Sequence, residues 1–212
     1  MLSLTHGAGA GVFALILIGT TAGIGASLQR SHEATGLVPA RDAMISALGA
    51  ANPNASLGDE ARTFDRFVGA WDADFGFPHD DGTTTHKRGE LFFGWVLDGR
   101  AIQDLWIGYP AGPGKERTIG TTIRFFDSAT NQWRIVFVGP QYNSLVTAQG
   151  GREGDRVVFR GVDSNGIPFR WTFRDITNDA FHWQGELSRD GGKTWKLEED
   201  HHMTRRRAEE LK

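Results

Sequence analysis

From residue 71 to residue 203 the chain is a run of short segments in which apolar and polar residues alternate, cut at near-regular intervals by turn residues. The segments are 71–77, 83–97, 100–107, 116–126, 133–138, 145–148, 156–162, 169–175, 181–187 and 194–203. That spacing, with alternation of period two, is the mark of strands in an all-β sandwich or barrel. No stretch between them is long enough for a crossover helix. Parallel neighbours need such crossovers, so the strands must be antiparallel and joined by hairpins. Asp98-Gly99 is a hairpin signal in this series, and Gly150-Gly151, Asp163-Ser164-Asn165-Gly166 and Asp190-Gly191-Gly192 mark further turns. Phe169, Trp171 and Phe173 share one face, opposite Arg170, Thr172 and Arg174. A long antiparallel meander hides its edges by closing on itself. The expected fold is a single antiparallel up-and-down barrel of about ten strands, enclosing either packed side chains or one small ligand.

Composition is uneven along the chain. All seven tryptophans lie between residues 71 and 195, and all phenylalanines but Phe13 lie between 64 and 181. The barrel therefore occupies the C-terminal two-thirds, residues 62–207, with 208–212 as a tail. Just before it, residues 59–68 read as a short helix with Phe64, Phe67 and Val68 on one stripe. Residues 1–28 carry no Asp, Glu, Lys or Arg, and 12–18 are a dense apolar run followed by small residues. This is the pattern of a secretory signal peptide with a cut near Ala26. An uncleaved membrane anchor is the alternative for 1–26, although the apolar run is short for a span. Residues 27–61 read as a linker with a short helix over 40–50. The expected location is exported, periplasmic or secreted, with no membrane span in the mature form.

Charge and cysteine content exclude several functions. The net charge is -3 from 23 basic and 26 acidic residues, without a basic stripe, which argues against a nucleic-acid partner. There is no cysteine, so thiolate zinc sites, iron–sulfur clusters and thiol nucleophiles are out. No G-x-S-x-G, phosphate loop or H-E-x-x-H is present.

Gly69-Ala70-Trp71 opens the first strand, and the last runs into Thr204-Arg205-Arg206-Arg207. Lipocalins begin with a similar G-x-W, whose Trp closes the barrel end beneath an Arg from the final strand, a favourable cation–π pair. The strings Phe93-Gly94-Trp95-Val96-Leu97-Asp98-Gly99-Arg100-Ala101-Ile102-Gln103-Asp104 and Thr121-Thr122-Ile123-Arg124-Phe125-Phe126-Asp127 extend the likeness. With Trp133 and Ser188-Arg189-Asp190-Gly191-Gly192-Lys193-Thr194-Trp195, they make residues 62–207 resemble a family of bacterial lipocalin-like, calycin-type domains of unknown function. The resemblance implies a barrel and no particular activity. Gly69, Trp71 and Arg205 take structural roles by this likeness. Ser188-x-Asp190-x-Gly192-x-Thr194-Trp195 also resembles the Asp-box hairpin of sialidase propellers, where the Asp caps a turn and the Trp packs beneath it. Asp190 and Trp195 are therefore read as structural. One copy with no repeat gives no propeller.

Candidate chemistry must come from His, Asp, Glu, Arg and aromatic side chains. Fatty-acid-type barrels grip a carboxylate with inward Arg and Tyr. Here Arg100, Arg124, Arg170, Arg174 and Tyr142 are the corresponding candidates, while charged strand residues that face water are the simpler reading. Trp95, Trp106, Trp171 and Trp183 would line an apolar pocket or fill the barrel. Asp104, Arg124 and Glu186 are the acid–base candidates if they face inward. Glu199 and His201, on one face of the last strand, are weak metal candidates. No cofactor is expected on the residues alone. Heme-binding barrels of the wider superfamily use one inward His, for which His86, His182 and His201 qualify. The leading expectation is a module that binds a small apolar or amphipathic molecule. The alternatives are an isomerase, lyase or hydrolase using the same cavity, and a filled structural domain. The sequence leaves the oligomeric state open.

Overall fold

The computed structural model describes residues 40–207. The signal-like segment 1–26 and the tail 208–212 lie outside the described residues. A short helix, α1 (Ala40–Leu48), runs into a two-residue strand, β1 (Gly49–Ala50). Ten longer strands follow: β2 (Gly69–Pro78), β3 (Thr84–Val96), β4 (Ala101–Gly108), β5 (Thr118–Asp127) and β6 (Gln132–Gly139). After them come β7 (Ser144–Glu153), β8 (Arg156–Val162), β9 (Pro168–Arg174), β10 (Ala180–Leu187) and β11 (Lys196–Arg205). Every consecutive pair from β2 to β11 is antiparallel, and β11 returns to pair with β2, Met203 opposite Ala73. The meander is thus a closed ten-strand barrel, and β1 adds a short eleventh strand beside the end of β3. Among the described residues no helix is long and apolar enough to cross a membrane.

Two expectations about local structure are corrected. The helix expected over 59–68 is instead a pair of 3-10 helices, Ala55–Thr63 and Asp65–Phe67, the first kinked at Gly58. The apolar stripe survives the change, because Phe64 and Phe67 are fully buried. Gly150-Gly151 is not a turn: β7 continues through it to Glu153. Gly150 stands opposite both Trp133 and Phe159, and a Cβ there would collide with the Val158 carbonyl. The glycine permits close strand approach, and the turn falls at Gly154, which has φ 66°.

Inward positions fill one end of the barrel. Trp71, Leu91, Phe93, Trp95, Ile102, Trp133, Phe159, Phe173, Phe181 and Met203 are all buried there. The 3-10 pair caps this end. Phe67 meets Phe173 and Phe181 edge-on, with centroids 5.1 and 4.9 Å apart, and Phe64 meets Trp133 at 4.7 Å. Burying each such ring contributes about 2 kcal/mol or more from the hydrophobic effect.

Trp71 and Arg205 meet at the packed end. The Trp71 indole donates to the Phe67 carbonyl at 2.7 Å, and the Arg205 guanidinium sits 4.0 Å from the Trp71 ring centroid. Arg205 also donates to the carbonyls of Val68 (2.8 Å), Arg66 and Asn178. Gly69, at φ 131°, leaves the space this guanidinium occupies: a Cβ there would lie 2.7 Å from Nη1. Asp190 accepts from the backbone of Lys193 and Thr194 and from the Thr194 hydroxyl, at 3.0, 2.9 and 2.6 Å. Those donors hold its carboxyl down at about 2. Trp195 lies beneath Arg170, whose guanidinium is 4.6 Å from the ring centroid.

Candidate functional site

Among the described residues the other end of the barrel is not filled. A cavity of about 680 Å³ opens there. Its walls are aromatic: Phe75 and Phe77 from β2, Trp106 from β4, Phe137 from β6, Phe169 and Trp171 from β9, and Trp183 from β10. Alternation puts these rings inside, since each occupies the same strand face as the buried residues of the packed end. The cavity therefore begins where inward side chains stop meeting across the barrel. Trp106 and Trp183 pack at 5.4 Å, Trp171 and Trp183 at 5.5 Å.

At the boundary between packed half and cavity lies a buried ion pair. Asp104 Oδ2 and Arg124 Nη1 are 2.6 Å apart, with side chains 0% and 2% exposed. Thr122 N–H donates to Asp104 Oδ1 at 2.9 Å. The Arg124 guanidinium lies among Phe64, Phe93 and Phe173, 5.4–5.6 Å from their centroids. Arg124 and Thr122 face the deep end of the cavity. Burial pushes the Asp104 carboxyl up, while Arg124 and the Thr122 N–H draw it back. Among the described residues Arg124 Nε finds no hydrogen-bond partner.

A second polar point sits on the cavity wall, on β11. Glu199 and His201 both line the cavity, with Glu199 Oε1 3.9 Å from His201 Nε2. Gly185 stands opposite Glu199, and a Cβ there would lie 2.7 Å from its Oε2. Burial, aided by the neighbouring Glu198 charge, raises the Glu199 carboxyl to about 7. Burial lowers His201 to about 4. The His201 ring stacks on Trp183 at 5.0 Å and meets Phe75, Phe77 and Trp106 edge-on. This wall thus presents a neutral imidazole beside a carboxyl whose ionisation burial has moved up toward neutral pH.

The structure sorts the predicted site residues. Trp106, Trp171, Trp183, Arg124 and Tyr142 line the cavity. Tyr142 reaches it from a 3-10 turn (Pro140–Tyr142) rather than from a strand. Trp95 faces inward but belongs to the packed end. Arg100 is a correction: it lies on the exposed β3–β4 turn and donates to the Ser56 hydroxyl at 3.1 Å. Glu186 borders the cavity, yet its carboxylate is held bidentately by Arg170 at 2.7 and 2.8 Å. Arg174 bonds Asp175 and Gln184 on the outer wall. His86 pairs with Asp74 and His182 with Asp175, both on the outer wall, so His201 is the inward one of the three. Among the described residues no three His, Asp or Glu side chains gather in metal-binding geometry. Glu199 as a buried acid escaped the sequence reading, because Glu198-Glu199-Asp200 looks like a solvated edge. The readable signal was a glycine, Gly185, standing across from it.

No protein-family model matches the chain, and no curated protein matches it significantly. Solved structures do resemble it. The S-type phycobiliprotein lyase CPES from Guillardia theta aligns at a TM-score of 0.51 and 10% identity, over 69% of this chain and 92% of its own. Rv2717c from M. tuberculosis aligns at 0.50 and 12% identity, over 74% and 100%. At such identities the likeness concerns the fold. With the closed ten-strand meander, it fits a lipocalin-like calycin barrel.

Proposed function

We propose that this protein is a binding module that holds one small apolar or amphipathic molecule in the open half of its barrel. The observation that carries this reading is the aromatic cavity of about 680 Å³, within the range of small-molecule sites. A purely structural barrel would have continued its packed core to the far end, as interiors are close-packed. The apolar segment at residues 12–18 supports export, with a mature start after Ala26 and a linker between it and the barrel at 62–207. N-terminal sequencing of protein from its own host checks that start. Native mass spectrometry of the same material checks binding: a retained small molecule is expected. Bare mass, together with no affinity for any aromatic probe, would overturn the reading.

One observation favours an enzyme as the second reading. Glu199 and His201 are two titratable groups on one cavity wall, 3.9 Å apart, whose acidities burial moves in opposite directions. Such a pair suits proton transfer on a bound carbonyl compound. Asp104 and Glu186 are less suited to it, since Asp104 is engaged by Arg124 and Glu186 by Arg170. Hydrogen exchange at carbons next to the carbonyl of a bound ketone, catalysed by wild type and lost in Glu199→Gln, would establish the second reading. No exchange above the solution rate would dismiss it.

A further inference from the structure

Resting on the binding reading above, we propose that the deep end of the cavity selects an uncharged aromatic ligand bearing a carbonyl-type hydrogen-bond acceptor, which docks on Arg124.

The first support is an unmet donor. Arg124 is 1% exposed, it lines the cavity, and its Nε has no hydrogen-bond partner among the described residues. A buried donor without an acceptor costs about 1–3 kcal/mol, which a ligand oxygen at that point would recover. A purely apolar molecule cannot do so.

The second support is charge. Fatty-acid-type barrels use a buried Arg to hold a carboxylate, but here Asp104 already stands 2.6 Å from the guanidinium. The pair is neutral as a whole. A carboxylate pushed against it would bring a second negative charge beside Asp104 in a low-dielectric interior, where like charges repel strongly. The wall adds to this bias. Glu199 repels an anion when ionised and offers a proton to an oxygen acceptor when neutral. His201, held neutral by burial, contributes no cationic charge.

The remaining charged groups do not reverse the argument. Lys87, Lys115, Glu116, Asp163, Glu186 and Glu198 also border the cavity, two cationic against four anionic side chains, so they add no net attraction for an anion. Lys87 leans over the Phe77 ring at 5.2 Å, and Glu198 contacts Lys196. The body of the ligand is set by the walls, where Phe75, Trp106, Phe137, Trp171 and Trp183 present faces and edges suited to a flat ring system.

The test uses the full chain and three probes of one shape: 2-acetylnaphthalene, 2-ethylnaphthalene and 2-naphthoate. Affinities are read from quenching of tryptophan fluorescence and confirmed by calorimetry. The acetyl compound should bind at least tenfold tighter than the ethyl compound, and the carboxylate should bind weakest. Equal affinity of acetyl and ethyl compounds would overturn the polar docking point while leaving the binding reading intact. Tightest binding by 2-naphthoate would overturn the neutral-ligand claim. Failure of all three, the ethyl compound included, would defeat the binding reading and this inference with it. A variant adds an independent arm. Asp104→Asn keeps the shape and removes the charge, so 2-naphthoate should gain at least tenfold relative to the acetyl compound. No gain in a folded variant would contradict the charge argument. If that variant does not fold, the wild-type series decides alone.

Discussion

Replacing Glu199 by Gln isolates the energetic cost of the acid in the cavity wall. In the unfolded chain this carboxyl ionises at its ordinary 4.5, whereas in the barrel burial holds it to about 7. The sign follows from linkage: below 4.5 both states are protonated and the group costs nothing. Between 4.5 and 7 the unfolded state releases its proton while the folded state keeps it, so wild type loses stability as pH rises. Above 7 both are ionised and the loss levels off at an upper limit of about 3 kcal/mol. The side chain is 18% exposed, toward the cavity, so water there trims the figure. Gln fills the same space beside Gly185 and carries no charge. Urea unfolding of both proteins at pH 5 and pH 8.5 is the assay. The stability of the variant relative to wild type should rise by roughly 2 kcal/mol between those values. A difference that does not change with pH would refute the claim that Glu199 is a desolvated acid.

Three further outcomes follow from the packing. Asp104→Ala should cost about 3–5 kcal/mol by equilibrium unfolding, because it strands the Arg124 charge, whereas Asp104→Leu with Arg124→Met should come close to wild type. Gly69→Ala should cost about 2 kcal/mol or more, since φ 131° disfavours a Cβ and the methyl would displace the Arg205 guanidinium from Trp71. Thermal melting measures this, and Arg205→Ala combined with Gly69→Ala should lose less than the sum of the two. His201, lowered to about 4, works in the opposite pH sense to Glu199: wild type should lose stability as pH falls from 6.5 to 4, and His201→Phe should lessen that slope.

Alternation made the barrel legible. Phe169, Trp171 and Phe173 announced an inward face, and the structure turns that face inward. The Trp71–Arg205 contact was suggested by the family likeness rather than by alternation, and the two residues are direct register partners where β2 begins and β11 ends. What alternation does not encode is depth along the barrel axis. Trp95 and Trp106 are both inward, yet one is packed beneath the plug and the other lines the cavity. That difference comes from the 3-10 segment folding into one end, a long-range event with no period. Glu199 was hidden for a related reason. Its burial follows from Gly185 and Trp183 on β10, residues distant in sequence, and its own neighbours are acidic and look solvated. Arg100 was misplaced because a single residue decides between strand end and turn, and left-handed backbone at Leu97 and Asp98 puts it in the turn.

The central claim is a half-filled barrel whose open half receives a ligand. Two-dimensional NMR of the tryptophan indole N–H groups tests it residue by residue during titration with 2-ethylnaphthalene. The account predicts that Trp106, Trp171 and Trp183 shift, while Trp71, Trp95 and Trp133 in the packed end do not. Saturating shifts confined to the packed-end indoles, or no shifts at all, would contradict it.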